Sequence, residues 1–174
     1  MKRLTRGVLA ATVALGATVA GALPAAAGDK PVVTIEKNAT LDLDVKAGEG
    51  CSFATQFHGE AGLIKTITYK HKTVTIYSHA FGQVTNPANH KSVKFNTNVK
   101  FVDKELSNGN LASSSKGNAI IWGTNVGFSA DAGPAFLYVQ GKATWTTVDP
   151  ANDGGAVVFR KIKGQVTNIC TLID

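Results

Sequence analysis

Between Ser92 and Val102 the chain alternates without a break. Val93, Phe95, Thr97, Val99 and Phe101 share one parity; Ser92, Lys94, Asn96, Asn98 and Lys100 share the other. Side chains of an extended strand point to opposite faces in turn, whereas a helix would scatter this pattern around its surface. The run therefore predicts a long strand with one buried and one wet face. Cys51, Phe53, Thr55 and Phe57 repeat the pattern, as do Val74 and Ile76 against Thr73, Thr75 and Tyr77. Val166, Asn168, Cys170 and Leu172 share one side of a last strand, so both cysteines are expected to face the core.

Turn residues separate these runs. Asn86-Pro87-Ala88-Asn89 breaks the chain before the long strand, and Asn108-Gly109 is the strongest short hairpin signal. Strands are expected at 31–36, 40–45, 51–58, 64–70, 73–78, 80–85, 92–102, 111–116, 119–128, 135–148, 156–163 and 165–172, with some merging. Gly141 and Gly164 fall inside such runs and predict bulges or close backbone approach. Many strands, short turns and one-sided apolarity predict an all-β, antiparallel fold. A two-sheet sandwich is the first expectation and a closed or partly open β-barrel the alternative.

Residues 1–27 read as a secretory signal peptide: Lys2, Arg3 and Arg6, an uncharged apolar run from Val8 to Leu23, and small residues through Ala27. The expected organisation is this signal, an N-terminal extension with the first strands over 28–50, and a disulfide-linked all-β domain over 51–174. The expected location is extracellular or cell-wall associated, with no membrane span once the signal is cleaved. Outside the cytosol, two cysteines suggest a bridge. Cys51 to Cys170 would close a loop of about 120 residues, worth up to roughly 4–5 kcal/mol by chain entropy.

Of the 18 basic and 12 acidic residues, three basic ones lie in the signal, leaving a balance of +3. That excess does not call for nucleic acid, and none is expected as a partner. Its distribution is uneven. Gly28–Glu60 holds three lysines against six acids; Lys65–Lys104 holds seven lysines against Asp103 alone. An anionic cell-envelope polymer is the expected class of partner. Its expected contacts are Lys94 and Lys100 on the wet face of the long strand, with Lys70, Lys72 and Tyr77, the last placed on the wet face beside Thr75 and His79.

The sequence carries no nucleophile elbow, phosphate loop, zinc-protease helix motif or dinucleotide fingerprint. His58, His71, His79 and His90 lack the close spacing of a compact zinc site, so neither metal nor cofactor is expected. Asp42 and Asp44 share one strand face, as a carboxylate pair could, but on the polar side of a clean alternation they are expected to be solvent-facing. Ser113-Ser114-Ser115 reads as an exposed segment. Trp122, Trp145, Tyr69, Tyr77 and Tyr138 could stack sugars, although core packing explains them more simply.

The order of several pieces resembles a group of small secreted actinobacterial proteins of unknown function. These are the signal, Cys51-Ser52-Phe53, Lys91-Ser92-Val93, Leu106-Ser107-Asn108-Gly109-Asn110, Gly133-Pro134, Gly141-Lys142 and Ile169-Cys170-Thr171-Leu172. The resemblance supports the fold and the bridge and supplies no catalytic or binding residue. The expectation is a secreted, non-enzymatic β domain binding an anionic surface or envelope component. The alternative is a barrel that carries lipid or another small molecule, or an enzyme of unrecognised class.

Overall fold

The computed structural model describes residues 30–129, 131–150 and 156–174. The segment read as a signal peptide lies outside these residues, as does 151–155 of the expected turn after Asp149. The described chain is all-β. Nine strands run in order: β1 (Val32–Val45), β2 (Thr55–Tyr69), β3 (Lys72–Thr85), β4 (Ser92–Asn96), β5 (Val99–Glu105), β6 (Leu111–Gly123), β7 (Val126–Gly127), β8 (Ala135–Val148) and β9 (Ala156–Asn168). One short helix, α1 (Cys170–Ile173), follows. All nine strands belong to one sheet, ordered β1-β2-β3-β5-β6-β8-β9-β7, with β4 beside β3. The sheet is neither two separate sheets nor a closed barrel.

Several expected strands merge into long ones, and the merging points align. Asn38 lies opposite Gly62, which lies opposite His79; farther across, Gly117 pairs with Gly141 and Gly141 with Gly164. Asn38 and His79 have φ of 53° and 52°, and the last three glycines have φ between 117° and 135°. These values lie in the region that side chains disfavour. Together they form a crease running across the strands. A Cβ on Gly164 would sit 1.9 Å from the Gln140 carbonyl oxygen, and one on Gly141 would sit 2.3 Å from that of Lys163. The close backbone approach expected at these two glycines is therefore present.

On one side of the crease the strands pair continuously from β1 to β9. On the other side the sheet forks. There β4 pairs with β3 but not with β6, so β1 to β4 form one lobe, and the ends of β6, β8 and β9 form a second. Aromatic side chains fill the space between the lobes. Phe57 lies 5.3 Å from Trp122, Trp122 4.8 Å from Phe136, and Phe95 4.3 Å from Tyr138, centroid to centroid. Gly82 is required here, because a Cβ would meet Ile120 at 2.8 Å and the Phe57 ring at 2.9 Å. A second aromatic chain, Tyr77–Phe101–Trp145–Phe159, lines the inner face of the continuous half at 6.0–6.3 Å spacings.

The disulfide Cys51–Cys170 joins the end of the first hairpin arm to the end of the chain, with a Cα–Cα distance of 5.6 Å. Neither cysteine lies in a strand as expected: Cys51 sits in the β1–β2 connection and Cys170 opens α1. Val166 and Leu172, expected to be inward with Cys170, are exposed: Val166 lies within β9 just past the crease at Gly164, and Leu172 lies beyond Asn168, where the strand and its alternation end. The Ile169 amide donates to the Phe136 carbonyl, and the Asn86 and Asn89 side-chain amides donate to the Ile173 carbonyl. The chain end is thereby held over one end of the forked half.

Three further expectations are corrected. The run 92–102 keeps its parity but is two strands, broken at Thr97-Asn98 where the fork opens; Thr97 N and the Asn98 side-chain oxygen both bond the Ala80 backbone. Ser113 and Ser115 are buried rather than exposed, since they lie on the inner face beside Phe101 and Trp145. Tyr77 is only 3% exposed. Its strand changes parity at His79, so Thr75 and Tyr77 point inward before the crease while Ala80, Gly82 and Val84 do so after it.

Candidate polyanion-binding face

The register of the continuous half places lysines in a row. Lys100 on β5 lies opposite Lys116 on β6, Lys116 opposite Lys142 on β8, and Lys142 opposite Lys163 on β9. In the other direction Lys100 faces Ile76 on β3, which faces Lys65 on β2. Neighbouring strands lie about 4.8 Å apart, so the four consecutive lysines span roughly 14 Å and the whole row roughly 24 Å. Like charges directly opposite one another destabilise a sheet. Three such pairs in succession are therefore a local cost that packing does not explain.

The same face carries more lysines. By strand alternation, Lys37, Lys72, Lys104 and Lys161 also lie on the outer side of the continuous half, and no carboxylate shares it. The acids of this half, Glu36 and Asp103, fall on the inner parity with Tyr77 and Trp145; Glu105 sits at the strand end near His71. Among the described residues the side-chain ion pairs within 4.0 Å all belong to histidines, and no lysine pairs with an Asp or Glu side chain. Lys100, Lys116, Lys142 and Lys163 are exposed and Lys65 is half-buried.

A repeated triplet builds the central part of the row. Lys116-Gly117-Asn118 and Lys163-Gly164-Gln165 read in one direction, and Gln140-Gly141-Lys142 reads in reverse on the antiparallel strand between them. Pairing brings like to like, giving a lysine row, a glycine row and an amide row side by side. Beyond the glycines, Asn118 continues the parity of Ile120 and Trp122, and Gln140 that of Tyr138 and Phe136, whose side chains turn into the space between the lobes. Gly141 and Gly164 are exposed, and no side chain rises between the two rows. No single triplet is a motif; the signal was their recurrence in alternating direction across three strands.

The expected contacts separate. Lys100 belongs to the row. Lys70 and Lys72 are exposed at the β2–β3 turn, where the Lys72 ammonium lies 4.4 Å from the Tyr69 ring centroid. Lys72 is four residues from Ile76, roughly 13 Å along the strand. Lys94 lies on the first lobe, 3.4 Å over the Phe81 ring. Tyr77 is on the opposite face and buried. Burial raises its phenol pKa, and the charges of Asp103 and Glu36 add to the effect. The Asp103 carboxyl is also raised by burial, with a Ser113 hydrogen bond opposing the shift. Tyr77 Oη, Ser115 Oγ and Trp145 Nε1 are buried and have no hydrogen-bond partner among the described residues.

A second polar cluster lies on the outer face of the first lobe. His58 Nδ1 is 2.6 Å from Asp42 Oδ1, and Nε2 is 3.0 Å from Glu60 Oε1. The Glu60 bond, then the Asp42 bond, raises the imidazole pKa above 6.5. Asp42 is largely exposed, as expected, and Gln56 donates to Asp44. A cavity of about 280 Å³ opens here, lined by Asp42, Asp44, Gln56, His58 and Thr85 among others. Carboxylates occupy both ring nitrogens, which leaves no free nitrogen to act as a base toward Thr85, and the Thr85 hydroxyl is spent on Ser92. Among the described residues no group of three His, Cys, Asp or Glu side chains is placed to hold a metal. No described helix is long and apolar enough to cross a membrane.

No protein-family model, curated protein or solved structure matches the chain.

Proposed function

We propose that this protein is a non-enzymatic β scaffold of the extracellular space or cell wall, and that it binds an anionic polymer along the lysine row. The carrying observation is the opposed sequence Lys100–Lys116–Lys142–Lys163 with no carboxylate on its face. Evenly spaced, unpaired cations held on rigid strands offer low cost of ordering to an extended polyanion, which relieves the mutual repulsion as it binds. The disulfide is compatible with an oxidising compartment. A non-enzymatic role is supported by the engaged state of His58, the one imidazole beside the described cavity.

Retention of the full chain on immobilised anionic polymers across a salt series tests this. Binding at low salt should weaken steeply as the Debye length falls from about 30 Å at 0.01 M to 3 Å at 1 M. A Lys116→Gln/Lys142→Gln variant should elute at clearly lower salt, and a Lys70→Gln/Lys94→Gln variant close to the parent. Absent retention at low salt, or retention indifferent to ionic strength, overturns the proposal.

A further inference from the structure

The two long edges of the sheet are guarded differently. At one edge, β9 is covered by β7 at Val157 and Val158, and a register shift leaves Arg160 without an opposite residue. Beyond that point it presents exposed Arg160, Lys161 and Lys163. Short covers, bulges and basic side chains are the usual devices against edge-to-edge pairing. At the other edge, β1 has no strand on its outer side among the described residues. Asp42 and Asp44 stand exposed along its second half. Its first half, Val32-Val33-Thr34-Ile35-Glu36, holds no proline, glycine or lysine. Every residue of it is exposed, Val33 by 50% and Ile35 by 60%. Alternate residues there direct N–H and C=O groups away from β2, as an edge strand must.

We propose that this edge is an interface with a second copy of the chain. Val32–Glu36 pairs antiparallel with itself across a two-fold axis at Thr34, and the two sheets become one. The register follows from the side chains. A two-fold axis normal to the sheet keeps inner residues opposite inner ones and outer opposite outer, so the axis falls on a residue. With Thr34 opposite its own copy, Val33 meets the second copy's Ile35 and Val32 meets its Glu36. On the outer face Val102, Val74, Ile67 and Val33 form an unbroken apolar row across β5, β3, β2 and β1. That row ends in solvent at Val33, and the second copy's Ile35 is its next member. Such apolar β-branched pairs, and threonine pairs, stabilise antiparallel sheets. Moving the axis to Ile35 sets Lys37 against Val33. Moving it to Val33 sets Pro31, which has no N–H to give, against Ile35. Pairing β1 with the β9 of another copy makes a contact that repeats without closing, and the cations and bulge of β9 oppose it. The self-match at Thr34 is what selects a second copy over a foreign strand. Five residues a side make a small interface and a weak dimer.

Sedimentation velocity of the full chain, free of any anionic polymer, tests this from about 1 µM to 1 mM, the span of weak association. A reversible monomer–dimer equilibrium is expected. Added salt should strengthen it, because two copies of like charge repel less when screened. Ile35→Lys should weaken it about tenfold, the effect of losing two cross-strand pairs. Thr34→Cys reads the register directly. Opposed Cα atoms of an antiparallel pair lie about 4.5–5.5 Å apart, within disulfide reach. In a glutathione redox buffer this variant should link to its own copy through the introduced thiol, located by peptide mapping. Asp44→Cys, exposed on the same edge, should stay unlinked. A monomer throughout the range, or equal linking of the two cysteine variants, overturns the proposal. A dimer that Ile35→Lys leaves intact places the contact elsewhere and overturns it as well.

Discussion

Replacing Lys142 with glutamine should make the protein more stable and a weaker binder at the same time. Lys142 stands between Lys116 and Lys163 in the pairing register, so the change removes two like-charge contacts. Directly opposed Cβ atoms lie about 5 Å apart, and long side chains can splay their ammonium groups to roughly 7 Å. At that distance in water each pair costs about 0.6 kcal/mol before screening. Screening at 0.01 M salt leaves about 0.5 kcal/mol per pair, at 0.15 M about 0.25, and at 1 M less than 0.1. The variant should therefore gain about 0.9 kcal/mol at low salt, about 0.5 near physiological salt, and almost nothing at 1 M. A gain of 1 kcal/mol corresponds to a rise in Tm of about 2–4 °C in a domain of this size. Scanning calorimetry at the three salt concentrations reads this directly, and polymer binding at low salt should fall about fivefold, the upper range for one exposed ion pair. A variant less stable than the parent, or equally stabilised at 1 M salt, would show that the lysines are not repelling one another and would remove the strain argument.

Gly164→Ala should cost at least about 2 kcal/mol in denaturant unfolding, because the residue sits at φ +135° and its Cβ would meet the Gln140 carbonyl. Gly109→Ala, at φ +80° with nothing within 4 Å, should cost about 1 kcal/mol, and equal costs would refute the crease as a place of close backbone contact. The Cys51→Ala/Cys170→Ala variant should lose up to about 5 kcal/mol, since the bridge closes a loop of 119 residues; loss of under 1 kcal/mol by urea titration would contradict this. His58 should titrate above 6.5 by NMR, with Glu60→Gln lowering the value more than Asp42→Asn. Because the folded value is raised, this triad stabilises the protein fully below about pH 6.5 and loses that contribution as pH rises through the folded pKa. A His58 value at or below 6.5 would refute the bracketed geometry.

Much of this architecture could be read from the chain alone, and the misses share one cause. The alternation from Val93 to Phe101 gave the correct inward parity even across the break at Thr97-Asn98. Asn108-Gly109 does turn β5 into β6, with Gly109 at φ +80°. The cysteine pairing followed from there being only two. Tyr77 is misplaced when Val74 and Ile76, the more apolar parity of 73–78, are assigned to the core, because the strand turns Thr75 and Tyr77 inward instead. Periodicity inside one strand cannot supply register between strands. Lys100 was legible as a wet-face residue, but its alignment with Lys116, Lys142 and Lys163 exists only once β5, β6, β8 and β9 are paired. The forked lobes were invisible for the same reason, since β4 and β5 read as one strand.

The acidic triad residues Asp42 and Glu60, with Asp44, lie on the outer side of the first lobe, and the lysines crowd the outer side of the continuous half. The molecule is accordingly charge-asymmetric, with its acids and its lysines gathered on separate parts of the surface. Near a negatively charged wall it feels a torque as well as an attraction, so it arrives already turned with its cationic side forward. On the proposed reading, capture of an anionic polymer then needs little rotational search.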